Sequence, residues 1–334
     1  MPQRTLPSGF ESSAQGFGCM GLTGFFDVSI PEEQGIEVLR KAFALGVTTY
    51  NTAYFYGPYT NQRLIGKAFK GMPREKFAIT SKWGPMHKDH QFLPLDLSPS
   101  ACRAAVEASL RDLQMDYIDV LILRAHGNSS NVPLEETIKG MKAMVDEGKV
   151  KHLGLSEMAP EDVRRAHAIH PITLVEMEWS LFTRGCEKDL VPLCRELGIG
   201  FLAYSPLGRG MLTGKLSLDS LADNDIRRQM PWFQGENAEK NLAVVTRIVA
   251  LAEKKGCTAG QLALAWVQSR GEDVIPIPGT KSVKYLEENL GALKVKLTSK
   301  DLADLEAAIL PDEVVGDRYS NLKAMTYEHG SSIS

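Results

Sequence analysis

Short apolar runs alternate with longer amphipathic stretches along almost the whole chain. Runs at 46–50, 77–81, 117–123, 150–155, 173–177, 200–203 and 273–275 are bounded by glycine or polar residues, the pattern of buried strands. A glycine-rich stretch at 16–21 reads as one more strand, ahead of them, where backbone must approach something closely. Between the strands, apolar positions recur every three or four residues at 31–45, 61–69, 99–113, 134–147, 161–169, 188–197 and 283–290, and in a pair spanning 239–269. These predict helices. The first is opened by Pro31 with Glu32 and Glu33 in its first turn and is stopped by Gly46.

Strands joined by helical crossovers imply a parallel sheet, because parallel neighbours need a long, right-handed connection. Eight such units with strands as short as 150–155 predict a closed (β/α)8 TIM barrel of the α/β class. The alternative is an open doubly wound sheet, but no Gly-x-Gly-x-x-Gly follows a strand in the required context. Composition does not break along the chain, so 1–334 reads as one domain, with a core at about 15–310 and a tail at 311–334. Loops at 87–98 and 217–235 are too long for plain connections and are expected to cover a site.

Composition narrows the function. A formal charge of −3, with 24% charged residues, gives no basic face and excludes a nucleic-acid partner. The chain has no apolar run of membrane-spanning length and no apolar leader at its start, so a cytoplasmic protein without a membrane partner is expected. Five cysteines, odd in number and scattered, read as reduced thiols. His87 and His90 have no third ligand in view, so no metal is expected.

In a barrel of this type the active site lies at the C-terminal ends of the strands. The stretch Tyr-Asn-Thr-Ala-Tyr-Phe-Tyr-Gly at 50–57 puts Asn51 and Tyr56 there, and Lys82 ends the next strand. A tyrosine beside a cation is a candidate general acid, so Tyr56 and Lys82 form the proposed proton-donating pair. Arg124, His126, Ser156, Glu157, Glu176, Glu178 and the segment 204–210 fall on the same rim. Two segments suit phosphate: Ser-Pro-Leu-Gly-Arg-Gly at 205–210 with Lys215 nearby, and Ile-Pro-Gly-Thr-Lys-Ser at 277–282 leading into a helix N-terminus. Trp83 and Trp232 are candidates for lining an apolar pocket, with core packing equally open for Trp83.

Taken together, Gly-Cys-Met-Gly-Leu at 18–22, Asn-Thr-Ala-Tyr-Phe-Tyr-Gly at 51–57, Thr-Ser-Lys at 80–82, Tyr-Ile-Asp at 117–119, Gly-Leu-Ser-Glu at 154–157, Glu-Trp-Ser at 178–180, Tyr-Ser-Pro-Leu-Gly at 204–208, Ile-Pro-Gly-Thr-Lys at 277–281 and Glu-Glu-Asn at 287–289 resemble an aldo-keto reductase. The resemblance implies a barrel that binds NADPH and transfers hydride to an aldehyde or ketone. It makes Tyr56 the acid and Lys82 the cation that lowers its pKa. Tyr204 would stack on the nicotinamide and Ser156 and Glu176 would face its carboxamide. Ser205, Leu207, Gly208, Gly210 and Lys215 would hold the pyrophosphate, Gly279, Lys281 and Ser282 the 2'-phosphate end, and Glu288 and Asn289 the adenine. Lys281 favours NADPH over NADH, because a 2'-phosphate rewards a cation.

The chain also departs from that family. Asn51 stands where the family carries aspartate, so Lys82 is expected to lose a countercharge. The family's histidine falls on Arg124 counting forward from Tyr117 and on His126 counting back from Pro133, and His126 is placed ahead. Glu176 replaces a usual amide. These departures, with Gly-Asp-Arg-Tyr-Ser-Asn at 316–321, resemble the pyridoxal reductase branch, and other segments resemble plant reductases of alkaloid aldehydes. The expected substrate is a small carbonyl compound, pyridoxal-like or another aromatic aldehyde. The alternatives are a weakly active cofactor sensor and a biosynthetic enzyme with altered chemistry.

Overall fold

The computed structural model describes residues 1–24, 29–57, 59–85, 87–88, 91–92, 95–125, 130–310 and 313–319. His126, His90 and most of the segment 311–334 lie outside the described residues. Eight parallel strands follow one another around a barrel: β1 Phe17–Gly18, β2 Thr49–Ala53, β3 Ala78–Trp83, β4 Ile118–Arg124, β5 Val150–Ser156, β6 Ile172–Glu178, β7 Gly200–Tyr204 and β8 Val274–Pro276. Helices alternate with them: α1 Glu32–Ala44, α2 Asn61–Phe69, α3 Pro99–Leu113, α4 Leu134–Asp146, α5 Pro160–Ile169, α6 Leu190–Glu196, α7 Gly235–Lys255, α8 Ala259–Gln268, α9 Val283–Gly291 and α10 Ser299–Ala308. This is the (β/α)8 barrel that the alternation predicts.

Closure depends on β1, shorter than the expected 16–21. Gly16 N donates to Pro276 O at 3.0 Å and Gly18 N to Pro278 O at 3.2 Å, stitching β1 to the segment that carries β8. A Cβ on Gly18 would stand 2.7 Å from Ile277 O, and one on Gly279 2.6 Å from Gly18 O. The seam closes because neither residue has a side chain. That accounts for Gly279 structurally, beside the cofactor role the resemblance gives it.

Alternation along the strands sorts the interior from the helix-facing layer. Ala78, Val120, Ile122, Leu174, Leu202 and Ile275 form an inner cluster, while Ile79, Leu121, Leu123, Val175 and Phe201 pack outward against the helices. Leu6 and Phe10 join the inner cluster from an N-terminal hairpin, Gln3–Thr5 paired with Glu11–Ser13, which the sequence reading takes for a polar lead. This hairpin shuts the bottom of the barrel. Gly200 makes room for it, since a Cβ there would stand 2.5 Å from Leu6 Cδ1. Arg4 fastens it, donating to Gly271 O and Gln268 O at 3.1 Å each.

The loop 217–235 folds into three short 3-10 turns, Leu218–Ser220, Ile226–Gln229 and Pro231–Phe233. Trp232 is buried against Phe182, with ring centroids 5.7 Å apart, and Trp83 is buried in the outer core. Both rings are packed into the core. Among the described residues no helix is long and apolar enough to cross a membrane.

Candidate active site

The register that puts hydrophobic side chains into the barrel also puts the polar ones at its mouth. Residues two or four positions beyond an inner-cluster residue share its face: Lys82 follows Ala78, Arg124 follows Ile122, Glu176 and Glu178 follow Leu174, and Tyr204 follows Leu202. Strand pairing then aligns Ala53 with Lys82, Arg124 with Ser156, Ser156 with Glu176, and Glu178 with Tyr204. Four of the strands, β4 to β7, thus end on a polar side chain at the mouth: Arg124, Ser156, Glu178 and Tyr204.

Lys82 and Tyr56 meet at this mouth. The Lys82 ammonium lies 5.0 Å from the centre of the Tyr56 ring, and both residues are buried. Lys82 Nζ donates to Asn51 Oδ1 at 2.7 Å and lies 2.9 Å from Glu176 Oε1 and 3.1 Å from Oε2. Asn51 Nδ2 donates to Glu176 Oε2 at 2.6 Å and to Thr80 Oγ1 at 2.9 Å. Glu176 thus faces Lys82 and Asn51. The expected loss of countercharge at Lys82 is corrected, since a carboxylate from the far wall supplies it.

The expected depression of the Tyr56 pKa is also corrected. Burial drives the phenol well above its ordinary value, Glu176 pushes it the same way, and Arg124 pulls it down. Burial lowers the Lys82 pKa against the opposing pull of Glu176. Tyr56 therefore keeps its proton at neutral pH, as a proton donor must. Arg124 is buried at the mouth and donates through Nη1 to Ser156 Oγ at 3.3 Å. Of the two candidates for the family's histidine position, Arg124 is the one within the described residues.

A second cluster sits behind Tyr204, and sequence reasoning missed its centre. Arg318 reaches in from beyond the barrel and is buried. Its Nη2 donates to Glu157 Oε2 at 2.9 Å, and its Nη1 to Glu157 Oε1 at 3.0 Å, to Glu178 Oε2 at 2.9 Å and to Tyr204 Oη at 3.3 Å. Arg209 Nη2 shares Glu178 Oε2 at 2.9 Å, and another of its nitrogens donates to Arg318 O. Tyr204 Oη donates to Glu157 Oε1 at 2.8 Å, and Tyr319 places its hydroxyl 3.3 Å from that of Tyr204. Glu157 (φ 54°) and Ser205 (φ 48°) turn the chain in the left-handed region just past β5 and β7, sharp turns of the kind that collect at functional sites. The signal was the 316–321 segment, noted for its resemblance but not for where it would sit.

The phosphate-binding candidates gather on the β7–β8 side. After β7, Gly208–Thr213 forms a 3-10 turn in which Arg209 and Gly210 have φ of 56° and 98°. Arg227 Nη1, from the long loop, donates to Arg209 O at 3.1 Å. Lys215 Nζ donates to both Glu288 oxygens at 2.9 Å, so the expected pyrophosphate and adenine residues are joined across the groove. Ser282 stands at the N-terminal end of α9 without a side-chain capping bond, Lys281 precedes it, and Asn289 is buried on the same helix. Lysines, a left-handed glycine turn and a helix N-terminus make a donor set that fits the phosphates of a dinucleotide.

The chain is 47% identical over 320 residues to the probable aldo-keto reductase 1 of Glycine max, covering 96% of this chain and 92% of that protein. Its fold matches a glycerol dehydrogenase from Gluconobacter oxydans with a TM-score of 0.81 at 26% identity, over 93% of this chain and 96% of that one. It also matches an aldo/keto reductase from Klebsiella pneumoniae, solved with NADP and acetate, with a TM-score of 0.72 at 26% identity, over 95% of this chain and 98% of that one. Residues 16–310 match the aldo/keto reductase family, and the chain belongs to that family.

Proposed function

We propose that this aldo/keto reductase uses NADPH to reduce an aldehyde or ketone, and that its substrates are small aromatic aldehydes of the pyridoxal kind. The observation that carries the reading is the buried Tyr56 beside the Lys82 ammonium, 5.0 Å from ring centre to nitrogen, at the mouth of the barrel. NADPH, when bound, supplies the hydride that the carbonyl carbon accepts. Lys215, Lys281, Ser282 and the Arg209–Gly210 turn would hold its phosphates, and Tyr204 and Ser156 would flank its nicotinamide. Tyr56 delivers a proton to the substrate oxygen as negative charge builds there. Lys82 and Arg124 hold positive charge beside that phenol, which favours release of the proton. What supports an aromatic substrate is the resemblance to the pyridoxal reductase branch, carried by Asn51, Glu176 and the segment 316–321.

Tyr56→Phe removes the proton and keeps the ring. Turnover is expected to fall by about 10²–10⁴, the usual contribution of a positioned acid, with NADPH binding by fluorescence titration unchanged. A variant that keeps the full rate on its best aldehyde would refute the assignment.

A further inference from the structure

A fully buried ammonium holds its proton only if a countercharge stands within bonding distance. The neighbouring strand offers Lys82 no charge, because residue 51 is asparagine. Glu176 provides it from the opposite wall, since β6 lies four places from β2 in the eight-strand order. We propose that the acid and the amide around Lys82 have exchanged walls: Glu176 is the carboxylate that keeps the lysine charged, and Asn51 is the amide that holds that carboxylate in register. Glu176 is then a positioning residue for Tyr56, acting through Lys82. This inference rests on Tyr56 being the acid.

Lys82, Asn51 and Glu176 form a closed triangle, in which Glu176 Oε2 lies within reach of both the amide and the ammonium. Lys82 Nζ donates to Asn51 Oδ1 at 2.7 Å and pairs with Glu176 Oε1 at 2.9 Å. The two Asn51 amide hydrogens go to Glu176 Oε2 at 2.6 Å and to Thr80 Oγ1 at 2.9 Å. Reversing the amide would point its NH2 at an ammonium and its oxygen at a carboxylate, so the orientation is fixed by charge. Each partner requires the other. An aspartate at 51 would bring a second carboxylate against Glu176 at the position of that 2.6 Å contact, and a glutamine at 176 would leave the lysine with no charge at all. One negative charge serves one lysine in either arrangement, so the asparagine at 51 does not by itself mark a disabled enzyme.

The test is a double-mutant cycle of Asn51→Asp, Glu176→Gln and the pair, read both as melting temperature without cofactor and as kcat with NADPH. Each single variant is expected to melt several degrees lower and to lose about tenfold or more in kcat, while the double variant regains most of both. Asn51→Asp, which restores the family's residue, is thus harmful alone and beneficial beside Glu176→Gln. The NADPH dissociation constant of Glu176→Gln stays within about twofold of the parent, because an acid-positioning role acts on the chemical step. Losses that simply add in the double variant overturn the exchange. So does a Glu176→Gln protein with unchanged kcat and weakened NADPH binding, which would make Glu176 a cofactor contact. Tyr56→Phe separates the two readings: if it retains full activity the acid assignment fails whatever the cycle shows, and if it is inactive while the cycle is additive only the exchange fails.

Discussion

Arg318→Met tests whether the segment 313–319 is fastened to the barrel by charge. The guanidinium makes two bonds to Glu157 at 2.9 and 3.0 Å, one to Glu178 at 2.9 Å and one to Tyr204 at 3.3 Å, all away from water. Removing one partner of a buried ion pair costs about 3–5 kcal/mol, since the other charge stays behind unpaired. Glu178 keeps Arg209 at 2.9 Å and Glu157 keeps the Tyr204 hydroxyl at 2.8 Å, which points to the lower end, about 3 kcal/mol. With an unfolding entropy of roughly 2 cal/mol/K per residue, a chain of this length should melt about 4 °C lower. The local readout is hydrogen exchange at Val315, whose N–H donates to Asn241 Oδ1 at 2.9 Å and should lose protection as the segment lifts. Acid provides a second axis. Burial pushes the Glu157 carboxyl up, but Arg318 and Arg124 outweigh it, so its pKa lies below the ordinary value of 4.5. Its stabilising contribution is complete above that value and is lost as pH falls through the depressed one. The gap in melting temperature between parent and variant should therefore narrow on acidification below about 4.5. A variant that melts within about 1 °C of the parent, with Val315 protection intact, refutes the reasoning.

Gly18→Ala should destabilise by about 1–3 kcal/mol or more, because the added carbon meets backbone at 2.7 Å, and an unchanged urea midpoint would count against the seam argument. Ellman's reagent at pH 8 should titrate Cys257 first, slowed because partial burial raises its thiol pKa, and the other four of the five cysteines only after denaturation, since those four are buried. Burial pushes Cys102 and Cys194 up to about 12 and Cys19 higher still, and rapid reaction of all five in the native protein would contradict that packing. Lys281→Met should weaken NADPH by about tenfold while leaving NADH nearly unchanged, and an equal loss for both would remove the lysine from the 2'-phosphate.

The barrel was legible because its two periodicities are strong, and the strand ends were read short for a physical reason. Apolar runs stop at 81, 123, 155, 177 and 203, but backbone pairing is indifferent to side-chain polarity and carries the strands on to Trp83, Arg124, Ser156, Glu178 and Tyr204. Lys82, Arg124, Ser156, Glu178 and Tyr204 are thus held on strand backbone, whereas Tyr56 and Glu157 lie past their strands. The hairpin at the bottom escaped notice because Leu6 and Phe10 show no period of their own and are buried only by residues far along the chain. Helix α10 carried a readable start, Thr298 with Asp301 three residues later, and both halves of that capping box form. No local pattern could reveal that Glu176 reaches Lys82, 94 residues away, or that Arg318 reaches Glu157, 161 residues away. Such pairings are set by topology.

The seam between the first and last strands bears on how the protein is made. Gly16 cannot meet Pro276, nor Arg4 the carbonyls of Gln268 and Gly271, until the chain has been made through residue 276. A chain stopped short of that point would leave the edge strands of its sheet without partners, and exposed edges of that kind promote aggregation. Closing so long a loop is also slow, because its entropy is lost before any seam contact forms. Recovery of this protein from denaturant or from a heterologous host should therefore depend more on how long that sheet stays open than on the stability of the finished barrel.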